Sequence, residues 1–230
     1  MRLLPHLLAI ALLAASVSAA EQRVTSPDGK LTLVVSDTAG VRYRVELEGK
    51  PLLADSVLGL AFADGTTLGP GTTITTTKTA ARKDTWGNPI GQRRTMPDRF
   101  RELRVELREP GATPARAFAL VARAYDEGVA FRYDLPEASG LGEFTLQREL
   151  TEFRFPADHR SWAGDESACA ENTYRERKLS AIPQQGRGNQ PFRSVLPLLV
   201  ETPPADLPPA NSRSASSRFE AVKTMFTSNP

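Results

Sequence analysis

The sequence contains few of the residues that build compact chemical centres. Its 230 residues include one cysteine, Cys169, and two histidines, His6 and His159. A disulfide within the chain needs two cysteines and a cysteine-based zinc site needs several, so both are excluded. A histidine-rich metal site is excluded by the same count.

An excess of charge of one sign is also absent. Lys and Arg number 29 against 27 Asp and Glu, for a formal net charge of +2. A general nucleic-acid-binding protein usually carries a clear basic excess, so no nucleic-acid partner is predicted. The chain also lacks a phosphate-binding glycine loop, a dinucleotide fingerprint and the G-x-S-x-G motif of serine hydrolases. Hydrophobic residues at 40% and charged residues at 24% indicate an ordinary globular protein.

The longest apolar run lies at the N-terminus and is short. Leu7 to Val17 spans 11 residues, follows Arg2 and precedes the small residues Ser18-Ala19-Ala20. A membrane span needs about 20 apolar residues, whereas this pattern is typical of a cleaved signal peptide. We therefore predict a signal peptide over residues 1–20 and an exported chain, periplasmic or secreted, with no membrane partner after cleavage. Because cleavage would remove His6, a Ser-His-Asp triad in the mature chain would have to use His159.

Residues 24 to 155 show an alternation of apolar and polar side chains that is typical of strands. Tyr43, Val45 and Leu47 alternate with charged residues, and similar runs recur between turn signals such as Glu48-Gly49. Such alternation places one face on a core and the other in water. It predicts a sandwich of antiparallel sheets, including a hairpin over 117–135 in which Gly128 adopts a left-handed conformation.

From Asp158 to Asn189 the alternation fades, which predicts a long loop with polar and aromatic residues where function is often found. Trp162, like Trp86 earlier in the chain, suits either stacking on a sugar ring or capping of the core. Glu166 and Glu171 suit either a solvated surface or oxygen ligation of calcium.

Two further patterns concern the C-terminal part of the chain. The apolar run Val195 to Val200 predicts a buried strand, although Pro197 argues against a central position in a sheet. Residues 202–230 are rich in proline and serine, and their composition predicts a disordered tail.

Several of these segments, taken in order, carry a resemblance to a known family. The N-terminal fragments are Val24-Thr25-Ser26-Pro27-Asp28-Gly29-Lys30 and Gly49-Lys50-Pro51-Leu52-Leu53. The later fragments are Asp84-Thr85-Trp86, Ala124-Tyr125-Asp126-Glu127-Gly128-Val129-Ala130-Phe131-Arg132-Tyr133, Phe153-Arg154-Phe155, Trp162, Glu171-Asn172-Thr173-Tyr174 and Leu196-Pro197-Leu198-Leu199-Val200-Glu201. Together, over residues 24 to 201, they resemble the N-terminal domain of glycoside hydrolase family 97.

The resemblance implies an all-β fold, an antiparallel β-supersandwich like that of galactose mutarotase, over residues 21–201. Family members are exported enzymes that act mainly on α-glucosides or α-galactosides and use an active-site calcium ion. Their catalytic carboxylates lie on a (β/α)₈ barrel, to which the N-terminal domain lends a glutamate. Glu171 best matches that calcium ligand, and Trp162 is the candidate for contact with carbohydrate.

The sequence departs from the family pattern after Glu201, where further sandwich strands and a barrel would follow. We therefore expect a sandwich that is incomplete at its C-terminal end, either through a frameshift or truncation or as a natural short protein. The expected function is a non-catalytic, carbohydrate-associated accessory domain, which binds no calcium by itself and whose partner is the missing barrel. Two alternatives remain open: a free-standing secreted interaction module with edge strands for partners, and a mutarotase-like sugar epimerase that uses His159.

Overall fold

A computed structural model describes residues 21–90, 93–111, 115–165, 173–182, 194–202, 217–220 and 225–227. The predicted signal peptide, residues 1–20, lies outside the described residues. Within the described ranges the regular structure consists of two 3₁₀ turns, Glu137–Ser139 and Leu179–Ala181, and sixteen strands. The strands are β1 Gln22–Thr25, β2 Leu31–Ser36, β3 Arg42–Leu47, β4 Lys50–Val57, β5 Leu60–Phe62, β6 Thr67–Leu68, β7 Thr73–Gly87, β8 Thr95–Arg108, β9 Ala117–Tyr125, β10 Gly128–Asp134, β11 Leu146–Glu149, β12 Arg160–Asp165, β13 Arg175–Lys178, β14 Ser194–Thr202, β15 Ser217–Glu220 and β16 Met225–Thr227.

The first sheet is an antiparallel meander in the order β1-β2-β3-β4. Its third hairpin is closed by the two residues Glu48 and Gly49, and Leu47 pairs with Lys50 across the turn. Both turn residues are left-handed, with φ of 51° and 78°. Paired left-handed residues define the turn that matches the twist of the flanking strands, which explains the glycine at the second position.

The second sheet has the order β16-β10-β9-β8-β7, and β7 forms one edge. The predicted hairpin over residues 117–135 is present as β9 and β10. The expectation for Gly128 was wrong, because Gly128 pairs with Tyr125 as the first residue of β10 and lies outside the left-handed region. The turn consists of Asp126 and Glu127 alone, so Gly128 already has the extended backbone of the strand.

The core lies between these two sheets. Alternate residues of β3 and β8, such as Val45 and Leu103, are almost fully buried, whereas their neighbours Arg44 and Arg104 are partly exposed. The strands β1 and β2 contact β8, β9 and β10 across the interface. The sandwich of antiparallel sheets predicted from the alternation is therefore confirmed.

A three-stranded sheet, in the order β11-β5-β6, covers one side of this core. Two buried tyrosines of the main sheets form hydrogen bonds with the segments that flank β5 and β11. The Tyr43 hydroxyl donates a hydrogen bond to the Glu152 carbonyl oxygen at 2.7 Å. The Gly59 amide donates to the Tyr133 hydroxyl at 2.9 Å, and that hydroxyl also bonds the Thr151 hydroxyl at 2.8 Å.

The fourth sheet has the order β13-β12-β14-β15, so β14 is internal rather than at an edge. Pro197 argued against such a position, and that expectation was wrong. The pairing of β12 with β14 is interrupted between Trp162 and Gly164, and Pro197 lies in the interrupted stretch of β14. A proline lacks the amide that a regular ladder requires, and a bulge removes that requirement.

Two strands fall within residues 202–230, for which composition predicts a disordered tail. The backbone of β15 pairs antiparallel with β14, and the backbone of β16 pairs in parallel with β10. These seven residues therefore add short edge strands to two of the sheets.

Candidate functional site

Trp162, the predicted carbohydrate contact, lies in the middle of β12 and not in a loop. In the sequence Arg160-Ser161-Trp162-Ala163, the large side chains alternate with small ones. This alternation with a period of two is typical of a strand and could have been used to predict β12. Glu171, the predicted calcium ligand, lies outside the described residues, as does Glu166. The sequence places both between β12 and β13, and their roles stay predictions.

One face of β12 carries Trp162 together with Arg160. The guanidinium carbon of Arg160 lies 5.6 Å from the centroid of the Trp162 ring, within cation–π range. Arg160 also pairs with Glu201 at 2.6 Å and with Glu176 at 3.5 Å. The hydrogen bond from Arg160 to Glu201 is the main reason that the pKa of Arg160 is raised. The half-buried indole therefore lies on a charged, partly exposed surface and contacts a permanently charged guanidinium.

The other face of β12 is covered. Ser161 and Ala163 are fully buried, and so is Val200 on the neighbouring β14. The Ser161 hydroxyl donates to the Arg177 carbonyl oxygen at 3.0 Å, which joins β12 to β13. Because this face is closed, the Trp162 face is the side of the sheet that remains for a ligand or a partner.

His159, the candidate for proton transfer, precedes β12 and packs edge-on against Phe155, with ring centroids 6.1 Å apart. Burial lowers the pKa of His159, and the nearby Lys178 ammonium lowers it further. The adjacent Asp158 carboxylate accepts hydrogen bonds from the amide and the hydroxyl of Ser180, both at 2.9 Å. The imidazole is therefore a packed side chain whose surroundings favour its neutral form.

The described residues do not form a complete cation site. Within them, no group of three or more His, Cys, Asp or Glu side chains is placed to hold a metal. Calcium prefers about 6–8 oxygen ligands. The described part of the chain thus does not fit a complete calcium site, and Glu171 is left as a single predicted ligand.

The described residues also contain no helix that is long and apolar enough to cross a membrane.

Comparison with known families identifies the sandwich. The family model described as "Glycosyl-hydrolase 97 N-terminal" matches residues 24–207. The chain belongs to this family. The match begins within β1 and ends just beyond β14, so it includes the strand that carries Trp162 and the segment that contains Glu171.

Two relatives of the family-97 chain are described as α-galactosidases. A probable retaining alpha-galactosidase from Streptomyces bingchenggensis (strain BCW-1) is 27% identical over 159 residues, which cover 69% of this chain and 24% of that protein. A retaining alpha-galactosidase from Bacteroides thetaiotaomicron is 23% identical over 214 residues, which cover 87% of this chain and 30% of that protein. The chain therefore spans only 24% and 30% of the lengths of these relatives.

Solved structures of larger enzymes also contain a region similar to this chain. A glycoside hydrolase family 97 enzyme from Pseudoalteromonas sp. strain K8, in complex with panose, is 26% identical with a TM-score of 0.64. The match covers 79% of this chain and 26% of that enzyme. The same enzyme in complex with acarbose gives a TM-score of 0.63. A beta-arabinopyranosidase, at 24% identity and a TM-score of 0.65, shares the fold.

Proposed function

We propose that this chain is the non-catalytic N-terminal sandwich of an exported family-97 glycoside hydrolase that acts on α-glucosides or α-galactosides. The observation that carries the proposal is the family match over residues 24–207, which coincides with the folded sandwich. The relatives that share this sandwich are glycoside hydrolases, and the chain matches about a quarter of their length. Hydrolysis would be carried out by a separate catalytic barrel.

The state of the carboxyl groups supports a non-catalytic role. Glycoside hydrolysis usually needs a carboxyl group with a raised pKa, which donates a proton to the leaving oxygen. Among the described residues, the carboxyl groups whose pKa departs from its ordinary value all shift downward, and they are Glu21, Asp28, Asp64, Asp84 and Asp158. Each accepts hydrogen bonds that stabilise the charged form, which is the opposite of what a general acid requires.

The Trp162 face is proposed as the side that serves carbohydrate or the catalytic partner. It presents an indole, a guanidinium and two carboxylates on a sheet whose other face is closed. Glu171, in the segment that follows β12, is proposed to supply one calcium ligand to a site completed by that partner. With one ligand of its own, the isolated chain would bind calcium weakly.

The proposal is tested first by turnover. The purified chain is incubated with aryl α-glucosides and aryl α-galactosides, with and without calcium, and release of the aryl group is followed. We expect no release above the buffer control under any condition. Hydrolysis that co-purifies with the chain, and that is absent from an identical preparation of an unrelated protein, would reject the non-catalytic role.

Export is tested by cell fractionation. We expect the full chain to be recovered outside the cytoplasm and to begin at or next to Glu21 when its N-terminus is sequenced. A matched variant, Leu8→Arg, interrupts the apolar run and should retain the chain in the cytoplasm, because the apolar core is what the export machinery recognises. Equal distribution of the two proteins would contradict the proposed signal peptide.

A further inference from the structure

The outer halves of β7 and β8 form a two-stranded ribbon that extends past the end of β9. Between residues 81 and 101 there are six basic and two acidic residues, although the whole chain has a net charge of only +2. Three of the cations share one side of the ribbon, which we term the basic face: Lys83, Arg99 and Arg101. Lys83 lies directly opposite Arg99 in the strand pairing, and Arg101 follows two residues later on the same side.

Like charges directly opposite one another in a sheet are destabilising unless something neutralises them. On the opposite face of the same two strands, within the five-stranded sheet, Lys78 lies opposite Arg104, but Arg104 pairs with the carboxylates of Glu106 and Asp134. On the basic face, Arg99 pairs with Asp126 at 3.2 Å. Lys83 and Arg101 have no ion pair among the described residues, so this face keeps an uncompensated positive charge.

The basic face borders a groove along the edge strand β1. Two adjoining depressions, of about 440 and 240 Å³, share Ala81 and Arg101 in their walls. The larger is also lined by Arg23, Thr25 and Thr79, and the smaller by Lys83, Arg99 and Pro27. Glu102 also lines the larger depression, but its carboxylate is paired with Arg123 at 2.6 Å. Together the two depressions have the size of a site for a small oligomeric ligand, with cations and threonine side chains along the walls.

The character of the groove favours a polyol over a nucleic acid. Single-stranded nucleic acids are bound through bases that stack on exposed aromatic rings. The aromatic residue of the lining, Phe100, is only 4% exposed and packs against Arg123 and Tyr125. Trp86 is exposed, but it lies three residues from Lys83 in β7 and therefore on the opposite side of the ribbon.

We propose that this groove binds an anionic oligosaccharide, whose carboxylate or sulfate groups pair with Lys83 and Arg101. The guanidinium of Arg101 can hold such a group through two parallel hydrogen bonds, and Lys83 supplies a point charge at the other end of the basic face. The site belongs to a different sheet from Trp162 and does not depend on the proposed accessory function.

The test is a calorimetric titration of the full chain with four probes. They are an oligogalacturonate, a sulfated oligosaccharide, neutral maltohexaose and a single-stranded DNA of matched length. We expect one or both anionic glycans to bind at low salt. Because the contacts are ionic, we expect the affinity to be lower when the salt concentration is raised to about 150 mM. The preferred glycan identifies whether carboxylates or sulfates are recognised.

The matched variants are Lys83→Ala combined with Arg101→Ala, and Lys78→Ala on the opposite face of β7. We expect the double variant to bind about tenfold or more weakly and Lys78→Ala to bind like the parent chain. All three replaced side chains are exposed, so the melting temperatures should agree. The proposal is overturned if neither glycan binds, if maltohexaose binds equally, if the DNA binds more tightly, or if the double variant binds unchanged.

Discussion

At the scale of single residues, the hydroxyl of Tyr133 connects strands that are far apart in the sequence. Tyr133 is 1% exposed, and burial is the main reason that its pKa is raised. Its oxygen accepts a hydrogen bond from the Gly59 amide and shares another with the Thr151 hydroxyl. The neutral phenol is therefore a structural group that satisfies an amide near the start of β5.

We predict that Tyr133→Phe lowers the free energy of unfolding by about 1–3 kcal/mol, because the buried Gly59 amide loses its partner. Urea unfolding followed by far-ultraviolet circular dichroism measures the change. Tyr174→Phe is the matched control, since Tyr174 is 38% exposed and the substitution should cost less than about 0.5 kcal/mol. Equal stability of the two variants would contradict a structural role for the Tyr133 hydroxyl.

At the scale of the strands, Glu21 joins the start of β1 to β3. Its carboxylate accepts hydrogen bonds from Arg44 at 2.7 and 2.9 Å and from Arg23 at 2.7 Å. Chiefly through Arg44, these bonds lower the pKa of Glu21 from 4.5 to about 2. Because the folded pKa lies below the unfolded one, the stabilisation is complete well above pH 4.5 and is lost as the pH falls through 4.5 toward 2.

We therefore predict that Glu21→Gln makes the melting temperature fall less steeply between pH 4.5 and 2 than it does in the parent chain. The effect is modest because the carboxylate is exposed to solvent. Differential scanning calorimetry across this pH range measures it. Glu48→Gln, in the exposed turn after β3, should leave the pH dependence of the melting temperature unchanged. The proposed role of Glu21 is contradicted if Glu21→Gln also leaves it unchanged.

The outer part of the ribbon that carries the basic face is two-stranded. β8 pairs with β7 along its whole length, but it pairs with β9 only from Arg101 to Arg108. A two-stranded ribbon without a covered face is marginally stable in water. We predict that amides of residues 95–99 exchange with deuterium about tenfold or more faster than those of residues 103–107 in the same strand.

Hydrogen exchange followed by mass spectrometry makes this comparison within one protein. Equal protection along β8 would mean that the ribbon is held as firmly as the sandwich. Addition of the glycan that binds in the titration should slow exchange in residues 95–101 and leave residues 103–107 unaffected. This readout separates binding at the basic face from binding near Trp162.

At the scale of the whole molecule, the fold could be predicted where neighbouring residues decide the structure. The alternation around Tyr43 and Val45 and the turn at Glu48-Gly49 are local patterns, and both are confirmed. The prediction for Pro197 was wrong because the bulge that accommodates it arises where β14 pairs with Trp162 and Gly164, about 35 residues earlier. Contacts between distant segments leave no such local pattern in the sequence.

The same distinction applies to the sites. The residue types and the family resemblance indicated Trp162 and Glu171, but neither indicated that Trp162 contacts Arg160. The basic face could not be predicted at all from composition, since Lys83 and Arg99 become neighbours only through the register of β7 and β8. A nearly neutral chain can thus carry a strongly charged surface.

The two main sheets share one core, so we predict that they unfold together. Leu103 of β8 is 1% exposed and belongs to the same apolar cluster as Leu33 of β2. Leu103→Ala should lower the free energy of unfolding by about 2–5 kcal/mol, through lost burial and the cavity left behind. Ile90→Ala, at an 83% exposed site, should cost less than about 0.5 kcal/mol.

Hydrogen exchange under native conditions distinguishes shared from separate unfolding in the Leu103→Ala variant. If the sheets form one cooperative unit, peptides from β2 and β3 lose protection by the same factor as peptides from β8 and β9, although the substitution lies only in β8. Loss of protection confined to the second sheet would show that each sheet is stable alone. The shared core argues against that result, because the buried residues of both sheets pack in one apolar cluster.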